Sequence, residues 1–251
     1  MKNIFILILF IGIWVPVIAQ DIVTDRPDQT ESSSAVERGS FQIESGILIE
    51  YTEDNISTSR QILAPTTLFR YGILNGIEIR VLSQFESVNR TTTSEKFEGM
   101  SDLEIGTKIN LLNKENISTE IAFLSHLILP TGSKNLTNDK VGMNNKFSVS
   151  HALNKNLSLG YNVGYTYMGE GNGDLTYSLA LGISINSNFG IYVEPYGRFA
   201  EVDKHESNFD AGITYLVKNN LQLDFSFGTG INNSMNYLSV GCSINIAKEE
   251  N

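Results

Sequence analysis

From residue 41 to residue 246, apolar and polar side chains alternate with a period of two over most of the sequence. One clear run places Ile77, Ile79 and Val81 on one face and Glu78 and Arg80 on the other. Successive side chains of a β-strand point to opposite faces, so this pattern predicts strands and does not fit a helical period.

About twelve such runs follow one another, and most have the nine to thirteen residues that a tilted strand needs to cross a bilayer. They span residues 41–51, 61–73, 76–88, 101–111, 117–129, 145–153, 157–168, 175–186, 189–199, 207–217, 221–230 and 236–246. The predicted fold class is therefore all-β: a single closed, antiparallel, up-and-down transmembrane β-barrel of about 12 strands.

The predicted connections alternate in length. Short turns lie near 74–75, 113–115, 154–156, 187–188 and 218–220, and longer connections at 52–60, 89–100, 130–144, 169–174 and 200–206, before a last hairpin at 231–235. Outer-membrane barrels have short periplasmic turns and longer outer loops. The alternation therefore predicts a Gram-negative outer membrane, with the N- and C-termini in the periplasm.

A soluble β-sandwich or a lipocalin-like barrel would show the same alternation with its apolar face inward. Twelve strands enclose more space than an apolar interior fills easily, and the polar faces carry charges and many glycines. Aromatic residues also concentrate towards strand ends, as in the girdles of membrane barrels: Phe41, Tyr51, Tyr71, Tyr167, Phe189, Phe199, Tyr215 and Tyr237. These features favour a barrel surrounded by outer-membrane lipid.

The sequence divides into four predicted parts: a signal peptide (1–19), a polar periplasmic leader or partial plug (20–40), the barrel (41–246) and a tail (247–251). Lys2 and an apolar core before Ala19 indicate the signal peptide. The net charge of −10 argues against a nucleic-acid partner. Ser239, Gly241, Ile244 and Ile246 resemble the C-terminal signal that the outer-membrane assembly machinery recognises.

The stretch Thr24-Asp25-Arg26-Pro27-Asp28-Gln29-Thr30-Glu31-Ser32, followed by Gln42-Ile43-Glu44-Ser45-Gly46, is the most distinctive in the chain. It resembles the opening of a large bacterial family named for a MetA pathway of phenol degradation and often labelled "transporter". The resemblance implies a barrel that takes up small solutes, with hydrophobic or aromatic compounds as the class that the family name suggests. It implies no catalytic motif.

The leader candidates are Asp25, Arg26, Asp28 and Glu31, which carry both signs of charge. One hypothesis is that the leader folds into the periplasmic mouth of the barrel, with Arg26 paired to lumen carboxylates. The alternative is a flexible periplasmic segment.

Charged residues on the predicted lumen face form a first candidate group: Glu44, Arg70, Glu78, Arg80, Glu104, Lys108 and Glu120. They could orient a polar solute or form a structural ion-pair network. A second group lies on one face of a later strand, as a path for aromatic solutes or as ordinary filling: Tyr192, Glu194, Tyr196 and Arg198.

We predict a passive channel or transporter for a small-molecule solute, with no enzymatic activity, no cofactor and no metal site. His126 and His151 lack the serine partner at i±2 that a strand-borne hydrolase would favour, and His205 lies in the predicted connection 200–206. The alternatives are a non-conducting structural or adhesive barrel and an outer-membrane lipid hydrolase.

Overall fold

The computed structural model describes residues 22–53, 58–91, 93–113 and 117–248. The predicted signal peptide lies outside these residues, as do positions 20–21 and 249–251. Thirteen strands form one antiparallel sheet: β1 (Phe41–Glu53), β2 (Thr58–Leu74), β3 (Ile77–Arg90), β4 (Glu95–Met100), β5 (Leu103–Leu112), β6 (Thr119–Leu129), β7 (Gly142–Asn154), β8 (Leu157–Tyr167), β9 (Asp174–Ser184), β10 (Phe189–Ala200), β11 (Lys204–Lys218), β12 (Leu221–Gly230) and β13 (Ser234–Ile246). Among the described residues, none forms a helix long and apolar enough to span a membrane.

The sheet closes on itself because β1 pairs with both β2 and β13. Phe41 faces Ile246 at one end of the β1–β13 register, and Glu53 faces Ser234 at the other. Every described strand except β4 pairs along both of its edges, which is how a barrel satisfies its backbone polar groups in lipid. The predicted closed barrel is confirmed.

The extra strand does not add a thirteenth position around the barrel. β4 pairs with the last part of β3 and β5 with the first part, so the two share one position and are separated only by Ser101 and Asp102. The interpretation of 89–100 as a loop is wrong: Glu95–Met100 is a short, charge-rich strand that continues the ladder.

The strict alternation of short and long connections is only partly observed. Several strands extend through polar residues into the predicted loops, so that β10 and β11 are joined by 201–203 and β12 and β13 by 231–233. Long connections remain at 130–141 and 168–173. We call the end with connections 75–76, 155–156 and 219–220 the turn end, and the opposite end the loop end.

The barrel is apolar outside and polar inside. Outward side chains of the middle strands are exposed, such as Phe147, Val163 and Leu238, whereas Arg70 and Lys108 are at most 1% exposed. A soluble barrel has the reverse arrangement, so the outer surface requires an apolar surrounding. The assignment of Tyr237 to the aromatic girdle is wrong: its register on β13 points the ring into the lumen, where it is 4% exposed.

Candidate functional site

The described part of the leader, residues 22–40, lies inside the barrel. Its first residue is tied to the turn end, where the Ile22 N–H donates to the Asn219 carbonyl oxygen. The chain crosses the lumen to β8–β10, where the Glu31 N–H donates to Asn162 Oδ1 at 2.7 Å. It then returns to the turn end, where Arg38 forms a parallel bridge with Gly72 of β2.

The side chain of Asp25 lies in a buried cluster of three cations, Arg70 of β2, Arg80 of β3 and Lys108 of β5, which we call the basic cluster. Asp25 Oδ2 is 2.5 Å from Arg80 Nη1, 2.8 Å from Lys108 Nζ and 3.3 Å from Arg70 Nη1. These strands bring the three cations together because their lumen-facing positions are adjacent across the β2–β3 and β3–β5 ladders.

Two barrel carboxylates complete this network. Glu78 accepts hydrogen bonds from Arg70 Nε at 2.9 Å and from Arg80 Nη1 at 2.8 Å. Glu44 accepts from Arg70 Nη1 at 2.8 Å and from the backbone N–H groups of Asp25 and Arg26. The barrel wall therefore supplies carboxylate partners for Arg70 and Arg80 and a hydrogen-bond acceptor for the leader backbone, whereas the described ion pairs of Lys108 are with the leader residues Asp25 and Glu31.

The basic cluster also decides the charge of Asp25. Burial alone would raise the pKa of this carboxyl group, but Arg70, Lys108 and Arg80 outweigh burial and hold the pKa well below its usual value. Asp25 is therefore ionised at neutral pH, as a buried partner of three cations must be.

Arg26 binds a different sector of the wall, formed by β1, β12 and β13. Its guanidinium donates from Nη2 to Asp224 Oδ1 at 2.9 Å, from Nε to Asp224 Oδ2 at 3.3 Å and from Nη2 to Ser239 Oγ at 3.0 Å. Adjacent residues of the leader are thus bound to two neighbouring sectors of the barrel wall, which meet where β1 pairs with β2.

The tip of the leader reaches the second predicted group. The Gln29 N–H donates to Glu194 Oε2 at 2.7 Å, and Thr30 Oγ1 donates to Glu194 Oε1 at 2.5 Å. Burial, together with the carboxylates of Glu194 and Asp210, raises the pKa of Asp28 well above its usual value. The tip therefore meets an acidic wall, in contrast to Asp25.

The remaining lumen candidates lie apart from the basic cluster. Glu104 receives a hydrogen bond from His126 Nδ1 at 2.8 Å, and Glu120 accepts from the hydroxyl groups of Ser33 and Ser34. Glu31 joins the network through Arg80 Nη2 at 2.7 Å.

The second candidate group does not stay together in space. Tyr192 and Glu194 are buried in the lumen, and Tyr196 lines a cavity nearer the loop end. Arg198 lines the same cavity at its exposed end, where it pairs with Glu206 and Asp174, so the group divides into a buried pair and a cavity-lining pair. β10 extends beyond the buried part of the lumen. Residues on the same face of this strand therefore do not all belong to one site.

Sequence reasoning missed several residues that hold the leader. Asp224, Asn162 and Ser178 each bind it, and their strand parity predicts only that they face the lumen. His126 was considered only as a catalytic base, whereas it bonds Glu104 and Arg80. The path of the leader across the lumen decides which wall residues it contacts. Residues 22–40 have no periodic pattern from which that path could be predicted.

Two cavities lie on opposite sides of the leader. The cavity at the loop end has a volume of about 510 Å³, and its lining includes Gln29, Lys146 and Tyr196. The cavity at the turn end has a volume of about 800 Å³ and is lined in part by Val36 and Glu120. Within the described residues the two cavities share no lining residue.

The three histidines are held by different neighbours. His151 contacts Thr119 and Tyr161, and His205 contacts Tyr177. In the part of the chain that the structure describes, no three His, Cys, Asp or Glu side chains are arranged to hold a metal ion.

Comparison with known proteins gives one family and several solved barrels. The sequence profile of the family described as "Putative MetA-pathway of phenol degradation" matches residues 24–246. A comparison with curated proteins finds no significant match.

Several solved structures have the same fold. The COG4313 outer membrane channel from Pseudomonas putida F1 has a TM-score of 0.71 at 12% identity, covering 85% of this chain and 98% of that chain. The KdgM porin in complex with disordered oligogalacturonate has a TM-score of 0.57 at 11% identity, covering 82% and 99%. The NanC porin has a TM-score of 0.50 at 13% identity, covering 80% and 98%.

Proposed function

This chain belongs to the MetA-pathway of phenol degradation family, and from that premise we propose that it forms a passive channel for small solutes in a bacterial outer membrane. The observation that carries the proposal is the inverted barrel: an apolar outer surface around a lumen with polar cavities at both ends. The solved barrels of the same fold that are named as channels or porins support it.

The leader is the proposed plug of this channel. Its backbone and side chains bind the barrel wall on both sides of the lumen, and it separates the two cavities. The proposed path for a solute therefore opens only when the leader moves away from the barrel wall. The same observation favours the second candidate function, a non-conducting structural barrel in which the leader never leaves.

The loop-end cavity suggests the kind of solute. Its lining combines amide and hydroxyl groups with the rings of Tyr177, Tyr196 and Tyr237. Such a surface suits a small molecule that has both a ring and a hydrogen-bonding group. We propose phenolic compounds as the first solutes to test, in keeping with the family name.

Planar-bilayer recording of the mature protein and of a variant lacking 22–36 tests the channel and the plug together. Glu44 and Glu78 still pair with Arg70 and Arg80 after the deletion, and the strand ladder is untouched, so the barrel should remain closed. We expect a small conductance for the mature protein and a severalfold larger one for the deletion variant. Asp203→Asn, in the connection 201–203, is the control for a charge change away from the leader.

Absence of conductance in both proteins would reject the channel and leave the structural barrel. Equal conductance in both would retain the channel and reject the plug. Flux of a hydroxybenzoate into vesicles, compared with a sugar of similar size, then tests the solute class.

We further propose that the turn end faces the periplasm, that lipid surrounds the barrel, and that the assembly machinery inserts it through its last strand. The short connections at the turn end support this orientation. With Cys242→Ser as background, a single cysteine in 130–141 should react with an impermeant maleimide on intact cells, and one in 155–156 should not. The reverse labelling would reject the orientation.

A further inference from the structure

The Arg26 side chain occupies a shaped recess in the barrel wall, made by Gly46 of β1, Asp224 of β12, and Ser239 and Gly241 of β13. We call this recess the guanidinium slot. We propose that it is a binding site for guanidinium groups, occupied by Arg26 when the leader is seated and open to a free guanidinium ligand when Arg26 is absent. This proposal goes beyond the channel function and does not depend on whether the barrel conducts.

Asp224 supplies the charge of the slot. Its carboxylate is fully buried and receives two hydrogen bonds from the guanidinium, through Nη2 and Nε. Among the described residues, Arg26 is the only cation paired with Asp224. An ionised carboxylate buried in this way needs a cation, and the two-pronged geometry matches a guanidinium better than an ammonium group.

The two glycines give the slot its flat shape. Gly46 faces Gly241 across the β1–β13 ladder, and Gly241 faces Asp224 across the β12–β13 ladder. A methyl group at Gly46 would lie 2.5 Å from Arg26 Nη2 and 2.6 Å from the Val240 carbonyl oxygen, whereas one at Gly241 would collide with the guanidinium alone among its nearest neighbours. Neither glycine has a positive φ, so the space that they leave, rather than backbone freedom, explains them.

The tether explains why the slot is normally filled by the chain itself. Asp25 is bound to the basic cluster beside it, so Arg26 is held close to the slot at a high effective concentration. A small guanidinium ligand at millimolar concentration competes poorly with a group held in this way. The decisive test therefore empties the slot first.

The test uses the full mature chain refolded in lipid vesicles, with Arg26→Ala and methylguanidinium chloride as the probe. Hydrogen exchange of residues 22–36, followed by mass spectrometry, reports whether the leader is seated. We expect Arg26→Ala to speed this exchange by about tenfold or more, since it removes hydrogen bonds to a buried charged group. Tens of millimolar methylguanidinium should then restore much of the protection.

Three controls make the result specific. Methylammonium chloride at the same concentration should restore little. The double variant Arg26→Ala/Asp224→Asn should not respond, because the acceptor charge is gone. Wild-type protein should not respond either, because Arg26 already fills the slot.

Gly241→Ala is the matched variant that keeps both charges. It should loosen the leader as Arg26→Ala does, but methylguanidinium should not restore it, because the added methyl group fills the slot. Heat-dependent gel mobility confirms that each variant is a closed barrel. The proposal is overturned if Arg26→Ala leaves leader exchange unchanged, or if methylguanidinium fails to protect it, or protects the double variant equally well.

Discussion

At the scale of single residues, Asp25 is the point where the buried charges of the lumen converge. Asp25→Asn removes the carboxylate that Arg80 and Lys108 share. Removing one partner of a buried ion pair costs about 3–5 kcal/mol, and we expect this loss to fall mainly on seating of the leader. Glu44 and Glu78 still pair with Arg70 and Arg80, so the barrel should stay closed.

Hydrogen exchange of residues 22–36 at neutral pH measures this loss, with Asp28→Asn as the matched control. Both variants remove one leader carboxylate, but Asp28 lies beside Glu194 and Asp210 rather than beside cations. Asp28→Asn should therefore leave the leader seated as firmly as before, or more firmly. Equal loosening by the two variants would contradict the role of the basic cluster.

The same two carboxyl groups predict opposite pH effects on the leader. The pKa of Asp25 is held below its usual value, so its contribution is present above that value and is lost as pH falls through the lowered pKa. The pKa of Asp28 is raised, so the stability that it contributes is present at low pH and is lost as pH rises through the raised pKa. Leader exchange, corrected for its intrinsic pH dependence, should therefore increase both as pH falls below the usual pKa of an aspartate and as it rises above that value.

Asp28→Asn should remove the rise above the usual pKa of an aspartate and leave the acid limb unchanged. A pH profile identical to that of the wild type would show that Asp28 does not cause the increase in exchange above the usual pKa of an aspartate.

The sequence predicts the orientation of the lumen residues better than it predicts their partners. Strand alternation places Glu44, Arg70, Glu78 and Lys108 on the lumen face, and the structure has them there. Their meeting with Asp25 could not be predicted, because the leader has no strand period that fixes its path. Asp224 is a similar case. Strand alternation predicts that it faces the lumen, but not that it pairs with Arg26, which lies 198 residues away in the sequence.

At the scale of elements, the division between β4 and β5 shapes the loop end of the barrel. Asp102, which lies in the break, accepts the N–H of Gly132 at 2.8 Å and the N–H of Asn138 at 3.0 Å. It thereby fastens the connection 130–141 over a cavity of about 440 Å³. The run 95–100 escaped prediction because it is short and charged, with Phe97 as its main apolar residue before Met100.

Asp102→Ala should release the connection 130–141. A hydrogen bond to a charged group contributes about 1.5–3 kcal/mol, so loss of this acceptor should speed exchange in 130–141 by more than tenfold. Exchange in β8 should not change. Asp139→Asn, in the same connection but exposed, is the control, and an equal effect there would argue that any charge change loosens the connection.

At the scale of the whole molecule, alternation predicts two faces but not which of them points inward. In the sequence three features favoured a polar interior: the space that twelve strands enclose, the charged and glycine-rich polar faces, and the aromatic residues at strand ends. The structure agrees: buried Arg, Lys, Glu and Asp fill the lumen, and the apolar side chains point outward. The aromatic residues at strand ends predicted the outer surface less well. Tyr237 occupies a lumen-facing position of β13 and donates a hydrogen bond to Asp210 there.

If lipid surrounds the barrel, the cost of placing a lysine on its outer surface should depend on the depth of that position in the bilayer. Val163 is 59% exposed and lies near the middle of β8, whereas Val141 is 55% exposed and precedes β7 at the loop end. A lysine at the bilayer midplane costs about 2–4 kcal/mol, and one near the interface about 0–1 kcal/mol. Val163→Lys should therefore lower the free energy of unfolding in vesicles much more than Val141→Lys, as measured by urea titration. Equal costs for the two variants would place the apolar surface outside a bilayer, because in water an exposed lysine is tolerated equally at both positions.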